Sequence, residues 1–175
     1  MHSFNTYFFD SYSKKGYSDV VRRLTKHVDI FATSIVFIPV NIDMEHWILV
    51  AIEMELCKIV YYDGKYNEEE AKMVLQLVMG CIKNFNLYIQ DVLDTVFSYL
   101  KDEHLAKKGY PLKQDKWMLK FAKERPRQYN NRDCGLFVCK FAEYLSRRAE
   151  LTFCQENIFG FRQQMMAEIL LNKLY

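Results

Sequence analysis

An α+β fold, with a central sheet flanked by helices in a single domain over residues 1–175, is what the sequence predicts, and three observations carry it. Three short runs rich in β-branched residues, 34–40, 47–52 and 58–62, follow one another in the first half of the chain. Amphipathic helical patterns stand on both sides of them, at 16–26 before and at 67–86, 92–106, 134–148 and 161–174 after. A length of 175 residues fits one domain at about 150 residues each. Strands grouped together with helices around them read as α+β rather than as an alternating α/β fold.

Composition narrows the class further. Half of the residues are hydrophobic, 15% are aromatic and 26% charged, which excludes a disordered chain. A chain of this size buries roughly 70% of its unfolded surface, so it needs neither disulfides nor a metal for stability. The 24 Lys+Arg against 22 Asp+Glu leave a formal charge of +2, too balanced to point to nucleic acid. The five cysteines are odd in number, which fits a reducing compartment better than a disulfide framework. With no C-x-x-C pair, and with His2, His27, His46 and His104 standing singly, no structural zinc site is expected. The N-terminus lacks the basic start and apolar stretch of a secretory signal. No uncharged run approaches the roughly 18 residues that span a bilayer. The expectation is a soluble, intracellular protein that contacts neither membrane nor nucleic acid.

The elements follow in order. Residues 1–10 are aromatic-rich from the start, as if the fold were entered partway through. In the helix at 16–26, Tyr17, Val20, Val21 and Leu24 share a face, and Arg22, Arg23 and Lys26 form a basic one. The three strand runs are apolar on both faces, as strands covered on both sides are. Leu75, Val78, Met79 and Ile82 mark the helix at 67–86, and Val92, Val96 and Leu100 the one at 92–106. The polar stretch Lys101 to Lys116 reads as a loop or a frayed helix end. Phe137, Phe141, Tyr144 and Leu145 form the stripe of a strongly amphipathic helix at 134–148. No repeat, low-complexity segment or linker divides the chain.

Two places carry chemistry. A tight antiparallel hairpin centred on Met54 to Cys57 pairs residues whose numbers sum to about 110. His46 then falls opposite position 63 or 64, which sets an imidazole beside the Asp63 carboxylate. That arrangement orients and charges a histidine, although a chance surface pair has the same appearance in sequence. The second place is the polar loop Arg127-Gln-Tyr-Asn-Asn-Arg-Asp-Cys-Gly135, which runs directly into an amphipathic helix. Asp133 stands at the N-cap, and Cys134 opens the first turn. There the unpaired N–H groups and the positive end of the helix dipole stabilise a thiolate. Gly135 leaves room for a substrate backbone, and the Gln128 amide is a donor within reach of an oxyanion. Cys57, Cys81, Cys139 and Cys154 sit inside apolar patterns and read as ordinary buried cysteines. A Cys at a helix start with a His and an Asp elsewhere is a nucleophile–base–orienter set.

The order His46-Trp47, then Tyr-Tyr-Asp63-Gly, then Gln128-x-x-x-x-Asp133-Cys134-Gly135 resembles the SUMO-specific cysteine proteases, the ubiquitin-like-protease or SENP family. His2-Ser-Phe-Asn-Thr-Tyr-Phe-Phe9, Gly16-Tyr17, Ile38-Pro39-Val40, Cys139-Lys-Phe-Ala142, Leu151-Thr-Phe153 and Phe161-Arg162 extend the likeness over nearly the whole chain. The resemblance implies a papain-like cysteine protease fold with a central mixed sheet. It implies Cys134 as nucleophile, His46 as general base and acid, Asp63 as the group orienting His46, and Gln128 with the Cys134 N–H as oxyanion donors. Trp47 corresponds to the tryptophan that covers the narrow channel for the Gly-Gly tail of SUMO, with plain core packing a compatible role. Gly135 lies along the same path. Tyr7 and Arg22 correspond to positions that contact the SUMO body; as residues alone they read equally as a packed aromatic and a solvated helix charge. Implied too are no cofactor, SUMO and SUMO-conjugated proteins as partners, a monomer, and a location in the nucleus and also the cytoplasm.

The chain departs from the family pattern in three places. It lacks the preceding Trp-Leu-x-Asp segment, so an N-terminally truncated catalytic domain is expected, with a catalytically impaired SUMO-binding module as one alternative and a NEDD8-directed protease as another. Gly64 stands where the family usually has Ser, a small change because the carboxylate is kept. The interval from Asp63 to Gln128 is longer than the family pattern leads one to expect.

Overall fold

A computed structural model of the chain describes residues 1–65 and 82–173. It has the expected α+β architecture. Among the described residues, five strands form one sheet in sequence order: β1 (His2–Ser3), β2 (Ile35–Ile42), β3 (His46–Glu53), β4 (Lys58–Tyr62) and β5 (Met118–Phe121). The central β2–β3 and β3–β4 pairs are antiparallel, whereas β1 runs parallel to β2 and β5 parallel to β4, so the sheet is mixed. The three apolar runs form the three central strands. The outer two, of two and four residues, are too short to show a period of their own.

Alternation along the strands builds two cores. Val36, Ile38, Val40, Ile48, Val50, Ile52, Ile59 and Tyr61 face one side, against Phe8 of α1 (Phe8–Lys15), Val20 of α2 (Tyr17–Val20) and Val92, Val96 and Leu100 of α3 (Ile82–Lys108). Phe37, Leu49, Ala51, Val60 and Tyr62 face the other, against Phe137 and Phe141 of α4 (Cys134–Ser146), Phe153, and Ile158 of α5 (Ile158–Leu171). Helices on both faces are the physical reason the strands carry no polar side.

Several boundaries differ from expectation. The pattern at 16–26 divides into α2 and a π-helical turn, Val21–Thr25. Of the helix expected at 67–86, residues up to 81 lie outside the described residues; 82–86 open α3, which takes in the helix expected at 92–106 as well. The polar stretch from Lys101 is helical through Lys108, because Glu103 is fully buried and accepts hydrogen bonds from Tyr17 (2.7 Å) and Thr25 (3.3 Å). α5 begins at Ile158, three residues before the expected start at 161. Three cysteines depart from the expected burial. Cys139 projects from α4 two positions away from the Phe137–Phe141 stripe and is exposed, as is Cys154, whose thiol faces Asn157 Oδ1 at 3.1 Å. Cys57 is half-buried in the β3–β4 turn at φ +49°, and Cys81 lies outside the described residues. No helix among the described residues is long and apolar enough to cross a membrane.

Candidate active site

The site begins at two hairpin features. Asp43 and Met44, both at positive φ, are the central residues of a turn closed by the Glu45 N–H to the Ile42 carbonyl at 2.9 Å, within a three-residue β2–β3 connection, 43–45. Two left-handed central residues define a type I′ turn, whose twist matches the flanking strands. It delivers His46 as the first residue of β3, opposite Ile42. Along the β3–β4 ladder, Glu53 pairs with Lys58 and Leu49 with Tyr62, so paired numbers sum to 111. Continued, that register sets His46 opposite residue 65 rather than 63 or 64. The ladder ends at Tyr62, however, and Asp63 leaves it to turn its carboxylate toward the histidine. His46 Nε2 lies 2.8 Å from Asp63 Oδ1, with Asp63 1% exposed.

Asp63 is itself held. Its Oδ1 also accepts the Lys65 N–H at 2.8 Å, and Tyr61 Oη approaches Oδ2 at 3.5 Å. An imidazole whose Nε2 faces a buried carboxylate is fixed in ring plane and tautomer, which leaves Nδ1 as the nitrogen able to exchange a proton with a substrate or a thiol.

Cys134 is the first residue of α4 and is nearly buried. The helix ladder starts with the Phe137 N–H to the Asp133 carbonyl at 3.0 Å, so the N–H groups of the residues before Phe137 lie in the unpaired first turn. Asp133 occupies the N-cap position, as expected, yet its side chain does not cap. The carboxylate turns away from the helix and takes Asn130 Nδ2 (2.6 Å), Gln155 Nε2 (2.8 Å) and the Arg162 guanidinium of α5. Burial pushes its pKa up, but these donors outweigh burial and hold the carboxyl below its usual value. Asn130 Oδ1 also accepts the N–H groups of Arg132 (2.9 Å) and Asp133 (3.1 Å), which shapes the loop that presents Cys134. Asn130, Gln155 and Arg162 come from separate parts of the chain, and only a three-dimensional structure gathers them.

Two contacts bring the halves of the site together. Trp47, next to His46, lies against Gly135, next to Cys134; a Cβ on Gly135 would sit 3.8 Å from Trp47 Cδ1. The two residues line an apolar groove with Phe37, Pro39 and Val138. Gly64, next to Asp63, is pressed on Phe137, and the Gly64 carbonyl accepts the Gln128 N–H at 2.7 Å. Gln128 is buried; its Nε2 donates to the Asn130 carbonyl and lies 3.4 Å from Asn130 Oδ1, while its Oε1 has no hydrogen-bond partner among the described residues. The amide is thus oriented by its own loop.

Tyr7 and Arg22 stand apart from this cluster. Tyr7 is 75% exposed just before α1, so it is not a packed aromatic. Arg22 projects from the π-helical turn and pairs with Asp19 at 3.4 Å. Among the described residues, no group of three or more His, Cys, Asp or Glu is placed to hold a metal ion.

The family model described as the Ulp1 protease family, C-terminal catalytic domain, matches residues 1–174. A sentrin-specific protease of Caenorhabditis elegans is 36% identical over 174 residues, which span 99% of this chain and 22% of that protein. Sentrin-specific protease 2 of Homo sapiens is 32% identical over 178 residues, spanning 99% of this chain and 26% of that protein. The chain thus spans about a quarter of the length of these relatives. Among solved structures, the C-terminal Ulp1 protease domain in complex with Smt3, the yeast ortholog of SUMO, superposes with a TM-score of 0.77 at 25% identity. That likeness covers 97% of this chain and 67% of the solved one. A similar superposition, TM-score 0.76, is found with the SUMO protease Ulp1 whose catalytic cysteine is oxidised to a sulfonic acid. With a matching domain model over its whole described length, relatives above 30% identity and the Ulp1-type mixed sheet, this chain belongs to the Ulp1 protease family.

Proposed function

We propose that the chain is a SUMO-directed cysteine protease in which Cys134, His46 and Asp63 act as nucleophile, base and orienter. One observation carries the reading: the residue after an imidazole held through Nε2 by a buried carboxylate, Trp47, lies against Gly135, the residue after the Cys134 thiol that opens α4. His46 takes the thiol proton, and the Cys134 thiolate attacks the carbonyl carbon of the C-terminal glycine of SUMO. The carbonyl oxygen becomes an oxyanion, met by the Cys134 N–H and by Gln128 once its amide exchanges the long contact to Asn130 Oδ1. The C–N bond to the lysine amine or precursor peptide breaks as protonated His46 donates to the leaving nitrogen, and a thioester remains. His46 then takes a proton from water, the hydroxide attacks the thioester, and the C–S bond breaks to return the thiolate. No step calls on a cofactor. Trp47 and Gly135 flank the path of the Gly-Gly tail, whose lack of side chains suits a narrow groove, and the exposed Tyr7 and Arg22 contact the SUMO body. Action on conjugated proteins in the nucleus belongs to the same proposal and rests on the family resemblance.

The test is reaction of the chain with SUMO bearing a C-terminal thiol-reactive trap, beside Cys134→Ala and His46→Ala. A covalent shift on gel that vanishes in Cys134→Ala and slows in His46→Ala is expected. A folded chain that binds SUMO without forming the adduct would be a binding module and would overturn the proposal. A NEDD8 trap that reacts faster would replace the modifier while keeping the chemistry.

A further inference from the structure

Asp63 has left the β4–β5 ladder, whose last backbone bond is the Ala122 N–H to the Tyr61 carbonyl at 3.0 Å. Beyond the ladder, the donors that reach a buried carbonyl fix the course of the backbone. A side chain supplies one. Arg125 Nε reaches the Asp63 carbonyl at 2.5 Å, and its Nη1 donates to the Lys123 carbonyl at 3.0 Å. The guanidinium plane is steadied by Phe121, the last residue of β5, with 4.4 Å from its central carbon to the ring centroid. Phe121 pairs in register with Tyr61 and packs on its ring at 5.7 Å, and Tyr61 Oη is the group facing Asp63 Oδ2. Three residues after Arg125, the Gln128 N–H takes the next carbonyl, that of Gly64. Two consecutive carbonyls, those of Asp63 and Gly64, are thus gripped by the segment that also carries Gln128.

We infer that Arg125 is a positioning residue for the reaction: its guanidinium, braced on Phe121, fixes the backbone of Asp63 and through it the plane of His46. The inference rests on the proposed roles of Asp63 and His46. Arginine suits the task because a planar, always-charged guanidinium can lie flat on an aromatic while its N–H groups donate in fixed directions within that plane, a geometry the tetrahedral ammonium of lysine does not reproduce. Without it, the Asp63 carbonyl loses this hydrogen bond, and the carboxylate gains freedom to drift from Nε2. A misplacement of about 1 Å at a catalytic group costs about a hundredfold in rate, and Arg125 acts one step removed, so a loss of about tenfold is expected.

The experiment is a double-mutant cycle on the full chain, with steady-state cleavage of a SUMO C-terminal fluorogenic amide and melting curves for every variant. Arg125→Ala is expected to lower kcat about tenfold with KM little changed, and to lower it no further when Asp63→Asn is already present. Arg125→Lys, which can still donate to the carbonyl but loses the fork, should fall between wild type and Arg125→Ala. An unchanged kcat in Arg125→Ala, or the same factor lost with and without the Asp63→Asn substitution, overturns the inference. If Arg125→Ala does not fold, the cycle is run with Arg125→Lys and judged by the same non-additivity. Failure of the parent reading shows differently, as an Asp63→Asn single variant with undiminished kcat.

Discussion

Gly64 offers the sharpest test of how the halves of the site are fitted together. A Cβ built there would lie 2.8 Å from Phe137 Cδ1, 3.2 Å from Cγ and 3.4 Å from Cε1. Ordinary carbon contacts lie at roughly 3.5–4.0 Å, so Gly64→Ala must drive the ring back by about 0.7 Å. The ring cannot yield freely. Phe137 is 1% exposed and packs on Phe141 and Phe153 at centroid distances of 6.0 and 5.4 Å. Overpacking of this kind costs about 1–3 kcal/mol, partly offset by about 0.4–1 kcal/mol from the stiffer unfolded chain. The backbone at Gly64 is not left-handed, so the penalty is steric. A net loss of about 1–2 kcal/mol, at about 2–4 °C per kcal/mol for a domain of this size, lowers Tm by roughly 2–8 °C. The same push falls on Asp63 from one side and on the first turn of α4, which opens with Cys134, from the other, so kcat should fall as well. Differential scanning calorimetry and the SUMO trap reaction should be run on Gly64→Ala, Phe137→Leu and the double variant. The leucine leaves room, so the two effects should be less than additive by about 1 kcal/mol. Strict additivity, or a wild-type Tm and trapping rate in Gly64→Ala, would refute the fitting argument. The same distances mean that the family's usual serine at this place would need Phe137 to move, so glycine here is matched to its neighbour.

Three further outcomes follow from other parts of the fold. Met44 holds φ +61° in the turn before His46 and is almost fully exposed; Met44→Gly gives the Asp-Gly pair that type I′ turns favour and should stabilise by about 1 kcal/mol, read as a rise in Tm. Burial pushes the Glu103 carboxyl above its ordinary value, against the hydrogen bonds from Tyr17 and Thr25 and the charge of Lys107. The folded state then holds a proton that the unfolded state releases above its pKa of about 4.3, so this group's contribution falls as pH rises through the raised value; Glu103→Gln should flatten that slope in a Tm-against-pH series. Asp133 has the opposite sign. Its carboxyl is held below the usual value, so its contribution is present above the unfolded pKa of about 3.9 and is lost as pH falls through the lowered one. Arg162 is half exposed, so Arg162→Ala should cost only about 1 kcal/mol at pH 7, and the gap in Tm to wild type should close in strong acid.

What is legible in the sequence, and what is not, divides by the range of the forces involved. The central strands are readable because β-branched runs buried on both faces need no knowledge of what buries them. β1 and β5 are not, because a two-residue and a four-residue parallel edge exist only through the strands they pair with. Cys134 is readable as a helix start, since the change from polar loop to apolar stripe is local. The use of Asp133 escapes sequence reasoning for the same reason in reverse: a capping bond is a local option, and here Arg162 and Gln155, brought in by packing, displace it. His46 and Asp63 are the instructive pair. The register arithmetic is off by one or two positions, and the pairing still comes out, because Asp63 is free of the ladder and is steered by contacts rather than by strand count. Those contacts, from Arg125 to its carbonyl, from Lys65 and Tyr61 to its carboxylate, and from Phe137 against the next residue, carry no motif. The residues of the proposed triad can therefore be named from sequence while the contacts that hold Asp63 stay hidden. Substitutions at such supporting residues should lower turnover in chains whose motifs are intact, which makes motif completeness a poor guide to activity and the geometry around Asp63 a better one.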